Sequence, residues 1–188
     1  MKVLITSPHY ICNNMKSKDL HLCDFVSDKV ANMLAKFNNC IYFPGDISRD
    51  IVDLNRKESR NTFYRKKIRT LFKIKKIDII IDIHSFPPDR KGLVSVGFCE
   101  RNEIIPEIVL LLGPLDMINN KKIGRELYKQ LKNYNIIVNI VPNIKVLDIL
   151  NEAAEHNIPG IVLEFCENIN DDRMSFICNI IMNVIGSL

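Results

Sequence analysis

The chain has 188 residues, 47% of them hydrophobic and 26% charged, with a formal net charge of +4. This length and composition fit an ordinary globular protein with a sizeable core, expected as one domain over residues 1–188. So mild a positive charge excludes a strongly cationic nucleic-acid binder, and a nucleic-acid partner is not expected.

Residues 1–6 are apolar for too short a stretch before Pro8 and His9 to read as a secretory signal. Nor does any run reach the roughly 18–20 apolar residues of a membrane span, so no membrane partner is expected. The six cysteines, Cys12, Cys23, Cys40, Cys99, Cys166 and Cys178, form no CxxC pair. Without a secretory signal they are expected as reduced thiols in a cytoplasmic protein.

In chain order, Val3, Leu4 and Ile5 predict a first buried strand, stopped at Ser7 and Pro8. Residues 10–23 are polar and irregular. Phe25, Val26, Val30, Met33, Leu34 and Phe37 recur at helical spacing and predict a helix over 24–38. Cys40 to Phe43 reads as a second strand, cut by Pro44-Gly45. Residues 56–76 hold ten Lys or Arg and one acid, Glu58, with Tyr64, Ile68, Leu71 and Phe72 on one helical stripe. A surface helix with a solvated basic face is the expectation there.

Ile77 to Ile83 is almost continuously β-branched, as in a central strand covered on both faces. Further strands are expected over 93–98 and 107–112, a helix over 121–133, and a strand over 136–141. Val146, Leu147, Leu150 and Ala154 predict a helix up to His156, and Pro159-Gly160 opens a strand through Glu164. A last helix begins near Asp171 and Asp172, whose charges suit a helix N-terminus. Strands alternating with helices in this way predict an α/β layered fold with helices on both faces of the sheet.

Polar residues with chemical capability sit where these strands end, the edge at which open α/β sheets bind ligands. His9 follows the first strand. Asp82 and His84 lie two apart on another, hence on one side of it. A carboxylate beside a metal-ligating imidazole fixes its tautomer. Two histidines do not complete a catalytic zinc, which usually takes three protein ligands and water. Cys12, Asp19, His21 and Asp24 are the candidates for the third, and the residues alone leave the choice open. Glu164 is the one acid in the run 161–165, and a buried carboxylate at that place is a candidate general base. Asn55 and Arg56 stand side by side after Ile51 and Val52, with Arg49 in the same segment; a guanidinium fork fits a carboxylate.

Thr6-Ser7-Pro8-His9, Asp19-Leu20-His21, Ser48-Arg49-Asp50-Ile51-Val52-Asp53-Leu54-Asn55-Arg56, Asp82-Ile83-His84-Ser85 and Leu163-Glu164, in this order, resemble the motifs of the N-formylglutamate amidohydrolase family. More widely, they resemble those of the zinc carboxypeptidase and aspartoacylase group. The resemblance implies a three-layer α/β/α sandwich on a mixed, mostly parallel sheet, with Zn2+ as cofactor. It implies His9, Asp19 and His84 as metal ligands, Asn55 and Arg56 as a clamp for a substrate carboxylate, and Glu164 as the general base. The chain is shorter than typical members, and the glycine-pair loop that usually precedes the final strand is absent. The activity implied is hydrolysis of an amide in a small, carboxylate-bearing N-acyl amino acid. A carboxypeptidase-like or poly-glutamate hydrolase would use the same site, and a non-catalytic binding module would keep the fold without the base.

Overall fold

In the computed structural model, residues 1–12, 23–95, 97–101, 103–114, 118–141 and 147–188 are described. Among them, strands β1 (Val3–Ser7), β2 (Cys40–Pro44), β3 (Ile79–Phe86), β4 (Ile108–Leu112), β5 (Val138–Val141) and β6 (Gly160–Cys166) form one sheet in the order β2-β1-β3-β6-β4-β5. Every neighbouring pair is parallel except β4 and β6. This is the mixed, mostly parallel sheet that the motifs imply.

The central strand β3 shows why. Its residues Ile-Ile-Ile-Asp-Ile-His-Ser-Phe are all buried, and stiff β-branched side chains pack well on a pleated surface. Successive side chains point to opposite faces. Ile79, Ile81 and Ile83 pack into the layer of α1 (Ser27–Ala35), α4 (Ile118–Asn133) and α6 (Asp171–Ser187). Ile80, together with Leu4 and Val162 of the flanking strands, packs under α2 (Phe63–Ile74) and α5 (Asp148–Glu155). Each such aliphatic side chain contributes about 1.5–3 kcal/mol by leaving water. The α2–α5 face is also the one on which Thr6, Asp82, His84 and Glu164 fall by alternation, so one helical layer covers both a core and a polar site.

Two glycines allow close approaches that matter here. A Cβ at Gly160 would lie 2.6 Å from Leu150 Cδ2 and 2.7 Å from Ile80 Cγ2, so glycine lets α5 settle onto the sheet. At Gly45 a Cβ would lie 2.5 Å from the Pro8 carbonyl oxygen, so the β2 exit packs on the backbone just before His9.

Three expectations are corrected. The strand expected over 93–98 is not there: residues 93–95 are the end of α3 (Arg90–Ser95), and 97 and 98 lie in a turn and bend beyond it. The Asp89 carboxylate accepts from the Lys91 N–H at 3.2 Å and its carbonyl from Leu93 N–H at 3.0 Å, which nucleates a turn. Gly97, at φ +76°, reverses the chain so that Phe98 meets Phe86 edge-on at 6.0 Å. The basic helix is not solvated throughout. Lys66, Lys67 and Lys73 are exposed, but Arg65 is fully buried, because acids of α5 lie across from it. The cysteines are not all free thiols: Cys12 and Cys23 form a disulfide with a Cα–Cα distance of 5.8 Å, while Cys40, Cys99, Cys166 and Cys178 are free. The Asp24 N–H bonds the His9 carbonyl at 3.2 Å, which draws the two flanking cysteines together. Among the described residues, no helix is long and apolar enough to cross a membrane.

Candidate metal centre

Three strands end at one place. Thr6 of β1 pairs in register with Asp82 of β3, and His84 of β3 pairs with Glu164 of β6. His9 lies just beyond β1. Asp24 is brought in by the turn before α1, where its carbonyl accepts the Ser27 hydroxyl at 2.8 Å and the next residue's N–H bonds Glu167 at 3.3 Å. Glu167 in turn accepts the Ser85 hydroxyl at 2.9 Å, so this turn is fastened to the ends of β3 and β6.

His9, Asp24 and His84 are all buried, and one ligand atom from each lies within 4.8 Å of the others. Asp24 Oδ2 is 2.7 Å from His84 Nδ1 and 3.5 Å from His9 Nδ1. The far side of each imidazole is held by its own carboxylate. His9 Nε2 lies 2.7 Å from Asp53 Oδ1, and His84 Nε2 lies 3.0 Å from Asp82 Oδ2. An ionised carboxylate only accepts, so Asp53 keeps the His9 ring proton on Nε2 and leaves its Nδ1 lone pair facing Asp24, whereas His84, set between Asp24 and Asp82, has an acceptor at each ring nitrogen.

His9 Nδ1 is buried and, among the described residues, has no hydrogen-bond partner; its 3.5 Å separation from Asp24 is too long for one. Orphaned buried acceptors are rare and costly. Two imidazole nitrogens and a carboxylate oxygen, each backed by a further acceptor or donor, match the three-residue donor set of a catalytic zinc. The residues present therefore fit Zn2+.

The electrostatics follow from these contacts. Burial would raise the Asp24 carboxyl, yet the two histidines hold it well below the ordinary carboxylate range. Asp53 is likewise lowered against its burial, by His9, the Asn55 N–H and Arg49. Burial opposes charge on His84, but Asp82 and Asp24 push its pKa well above the usual value. Glu164 is 9% exposed, and no hydrogen bond to its carboxylate is found among the described residues. Burial first, then Asp24 and Asp82, push its pKa up to about 8, against the lowering effect of His84 and Arg49.

Arg49 reaches Asp24 at 3.3 Å and Asp53 at 4.0 Å, and Arg56 meets Asp53 at 3.1 Å with its side chain about half exposed. Both guanidiniums thus stand at the rim over the acids that back the histidines. Of the residues singled out in the sequence, His9, His84, Asp82, Glu164, Arg49 and Arg56 come together around this centre. Asn55 also arrives, but beneath it, with no exposed surface. Asp19 and His21 lie outside the described residues. Cys12 is in the disulfide, and Asp24 lies between the histidines. Sequence reasoning missed the role of Asp53 as the partner of His9. Its signal was its place two residues before Asn55, in a segment where every polar side chain turns out to be engaged.

No protein-family model matches this sequence, and no curated protein matches it. Solved structures do. A gene product of Agrobacterium tumefaciens aligns with a TM-score of 0.69 at 12% identity, over 99% of this chain and 91% of that chain. An N-formylglutamate amidohydrolase from Ralstonia eutropha aligns with a TM-score of 0.63 at 10% identity, over 99% of this chain and 95% of that one. An N-acetylmuramoyl-L-alanine amidase of Nostoc punctiforme aligns with a TM-score of 0.58 at 8% identity, over 99% and 96%. At such identities the likeness shows the fold: this chain is similar in architecture to amidohydrolases and amidases, with a mixed sheet between two helical layers.

Proposed function

We propose that the protein is a Zn2+-dependent hydrolase of amide bonds, with His9, Asp24 and His84 as the metal ligands and the unit formed by the whole of residues 1–188. The observation that carries this reading is the orphaned Nδ1 of His9, aimed at Asp24 beside a second histidine whose far nitrogen is likewise tied to a carboxylate. Bound there, Zn2+ would supply Lewis acidity to a water and to the scissile carbonyl.

The chain's own residues supply the rest. Glu164 takes the proton of the attacking water and returns it to the leaving nitrogen. Arg56 and Arg49, at the rim, bind a substrate carboxylate and orient the amide, which lowers the entropic part of the barrier. The substrate class is a small N-acyl amino acid with a free carboxylate, as the likeness to an N-formylglutamate amidohydrolase supports. The Cys12–Cys23 disulfide removes the thiol-based argument for a cytoplasmic location, since such bonds persist mainly in oxidising compartments.

The test is hydrolysis of N-formylglutamate and N-acetylglutamate by the purified chain, set beside the same amides with the carboxylates esterified. Activity that needs Zn2+, disappears with a chelator and falls on esterification is expected. Hydrolysis unaffected by chelation, or none with any acyl amino acid at saturating Zn2+, would overturn the reading.

A further inference from the structure

Asn55 and Arg56 are neighbours in sequence, but the structure gives them opposite surroundings. Arg56 reaches the rim, whereas Asn55 is fully buried. Its Nδ2–H donates to Asp82 Oδ2 at 2.7 Å, the same oxygen that receives His84 Nε2 at 3.0 Å. Asn55 Nδ2 and His84 Nε2 are 3.1 Å apart, because two donors converge on one acceptor. The other Asp82 oxygen takes the Thr6 hydroxyl at 2.6 Å. The second half of the Asn55 amide is also engaged: its Oδ1 accepts the Ile149 N–H of α5 at 3.0 Å, and its main-chain carbonyl accepts the Asp148 N–H at 3.2 Å.

The backbone on either side is fixed from behind. Arg65 Nη1 donates to the carbonyls of Leu54 at 3.0 Å and Arg56 at 3.4 Å, and the same guanidinium is bound by Glu152 at 2.6 Å and Asp148 at 3.0 Å. The Ser59 hydroxyl bonds both carbonyls as well, at 2.9 and 2.7 Å. The segment therefore cannot turn Asn55 outwards without abandoning these bonds. A ligand carboxylate reaching the Asn55 amide would have to displace Asp82, an ionised acceptor already seated there.

Resting on the metal-site reading above, we propose that Asn55 is a positioning residue that orients Asp82, and through it the His84 imidazole, and that it takes no part in binding substrate. The Arg65, Asp148 and Glu152 cluster is the anchor that holds it. Carboxylate recognition then falls to Arg56 and Arg49 alone. With the donor gone, the Asp82 carboxylate is held on one side only, and His84 Nε2–H loses an oriented acceptor. Outer partners of this kind change metal affinity by roughly 10–100-fold.

The experiment measures Zn2+ affinity of the full chain by competition with a chromophoric chelator, for wild type, Asn55→Ala, Asn55→Ser and, on the exposed face of α2, Lys66→Ala. The expected result is a 10–100-fold weaker Kd in both Asn55 variants and an unchanged Kd in Lys66→Ala. Wild-type affinity in a folded Asn55 variant would overturn the assignment while leaving the metal site standing. A wild-type chain that takes no Zn2+ would overturn both. A second measurement needs no variant: the Asn55 side-chain amide resonances of the wild-type chain should shift on adding Zn2+ and stay in place on adding glutarate. A shift with glutarate and none with Zn2+ would make Asn55 a carboxylate ligand and refute the proposal.

Discussion

His84 and Glu164 occupy one register position on neighbouring parallel strands, so the proposed ligand and the proposed base leave the sheet on the same face, about 4.8 Å apart along the hydrogen-bonding direction. Glu164 differs from its neighbours in having a buried carboxylate with no hydrogen-bond partner found among the described residues. Replacing it with glutamine keeps shape and removes the base. Glu164→Gln is expected to lower kcat by about 10²–10⁴-fold while leaving Zn2+ affinity intact. Because a buried unpaired carboxylate opposes folding, the melting temperature should not fall. Retained kcat in this variant would remove Glu164 from the mechanism.

The disulfide joins the segment after His9 to the residue before Asp24, across a sequence separation of 11. Cross-linking so short a loop removes unfolded-state entropy worth about 3 kcal/mol in the chain-entropy account. Dithiothreitol, or the double change Cys12→Ser and Cys23→Ser, should lower the urea midpoint accordingly and weaken Zn2+ binding, since Asp24 then keeps its hydrogen bond to the His9 carbonyl but loses the covalent tie beside it. Identical midpoints with and without reductant would show that the bond does not stabilise the fold.

Acid should destabilise the protein through two carboxyls held by arginine, Glu107 beside Arg173 and Asp148 between Arg60 and Arg65. Burial opposes ionisation of Glu107 and Asp148, but Arg173 at 2.6 and 2.9 Å, and Arg60 at 2.6 and 2.8 Å, hold both carboxyls below their ordinary values. A carboxyl lowered in the folded state adds stability that is complete above its ordinary value and is lost as pH falls through the lowered one. The ordinary values are 4.5 for Glu107 and 3.8 for Asp148, so the loss falls below about pH 4.5. Urea unfolding followed from pH 6 to pH 3 should show it, with a shallower decline in Glu107→Gln. A wild-type profile parallel to that of Glu107→Gln would rule out the Glu107–Arg173 pair as a source.

Much of the sheet was legible because a buried parallel strand must be apolar on both faces, so Asp82, His84 and Glu164 stood out against the residues around them. Period-two geometry placed Asp82 beside His84 correctly. The carboxylate between the two histidines was less legible: Asp24 reaches the cluster through a turn fastened by Ser27 and Glu167, and nothing in the local pattern of residues 10–23 encodes contacts to residue 167. Arg65 was hidden in a cationic run because its acids, Asp148 and Glu152, lie 83 and 87 residues away. The expected strand at 93–98 failed for a local reason, since Asp89 and Gly97 favour a turn that apolarity alone does not reveal. Asn55 and Arg56 read as a pair in sequence, and only burial separates them.

The Zn2+ content and affinity of the untagged protein, measured by elemental analysis and chelator competition for wild type and His84→Ala, test the metal centre most directly. One equivalent of Zn2+ per chain is expected in the wild type, and loss of that metal in His84→Ala. Wild-type protein without stoichiometric Zn2+, or a His84→Ala variant that binds it equally well, would contradict a metal centre at His9, Asp24 and His84.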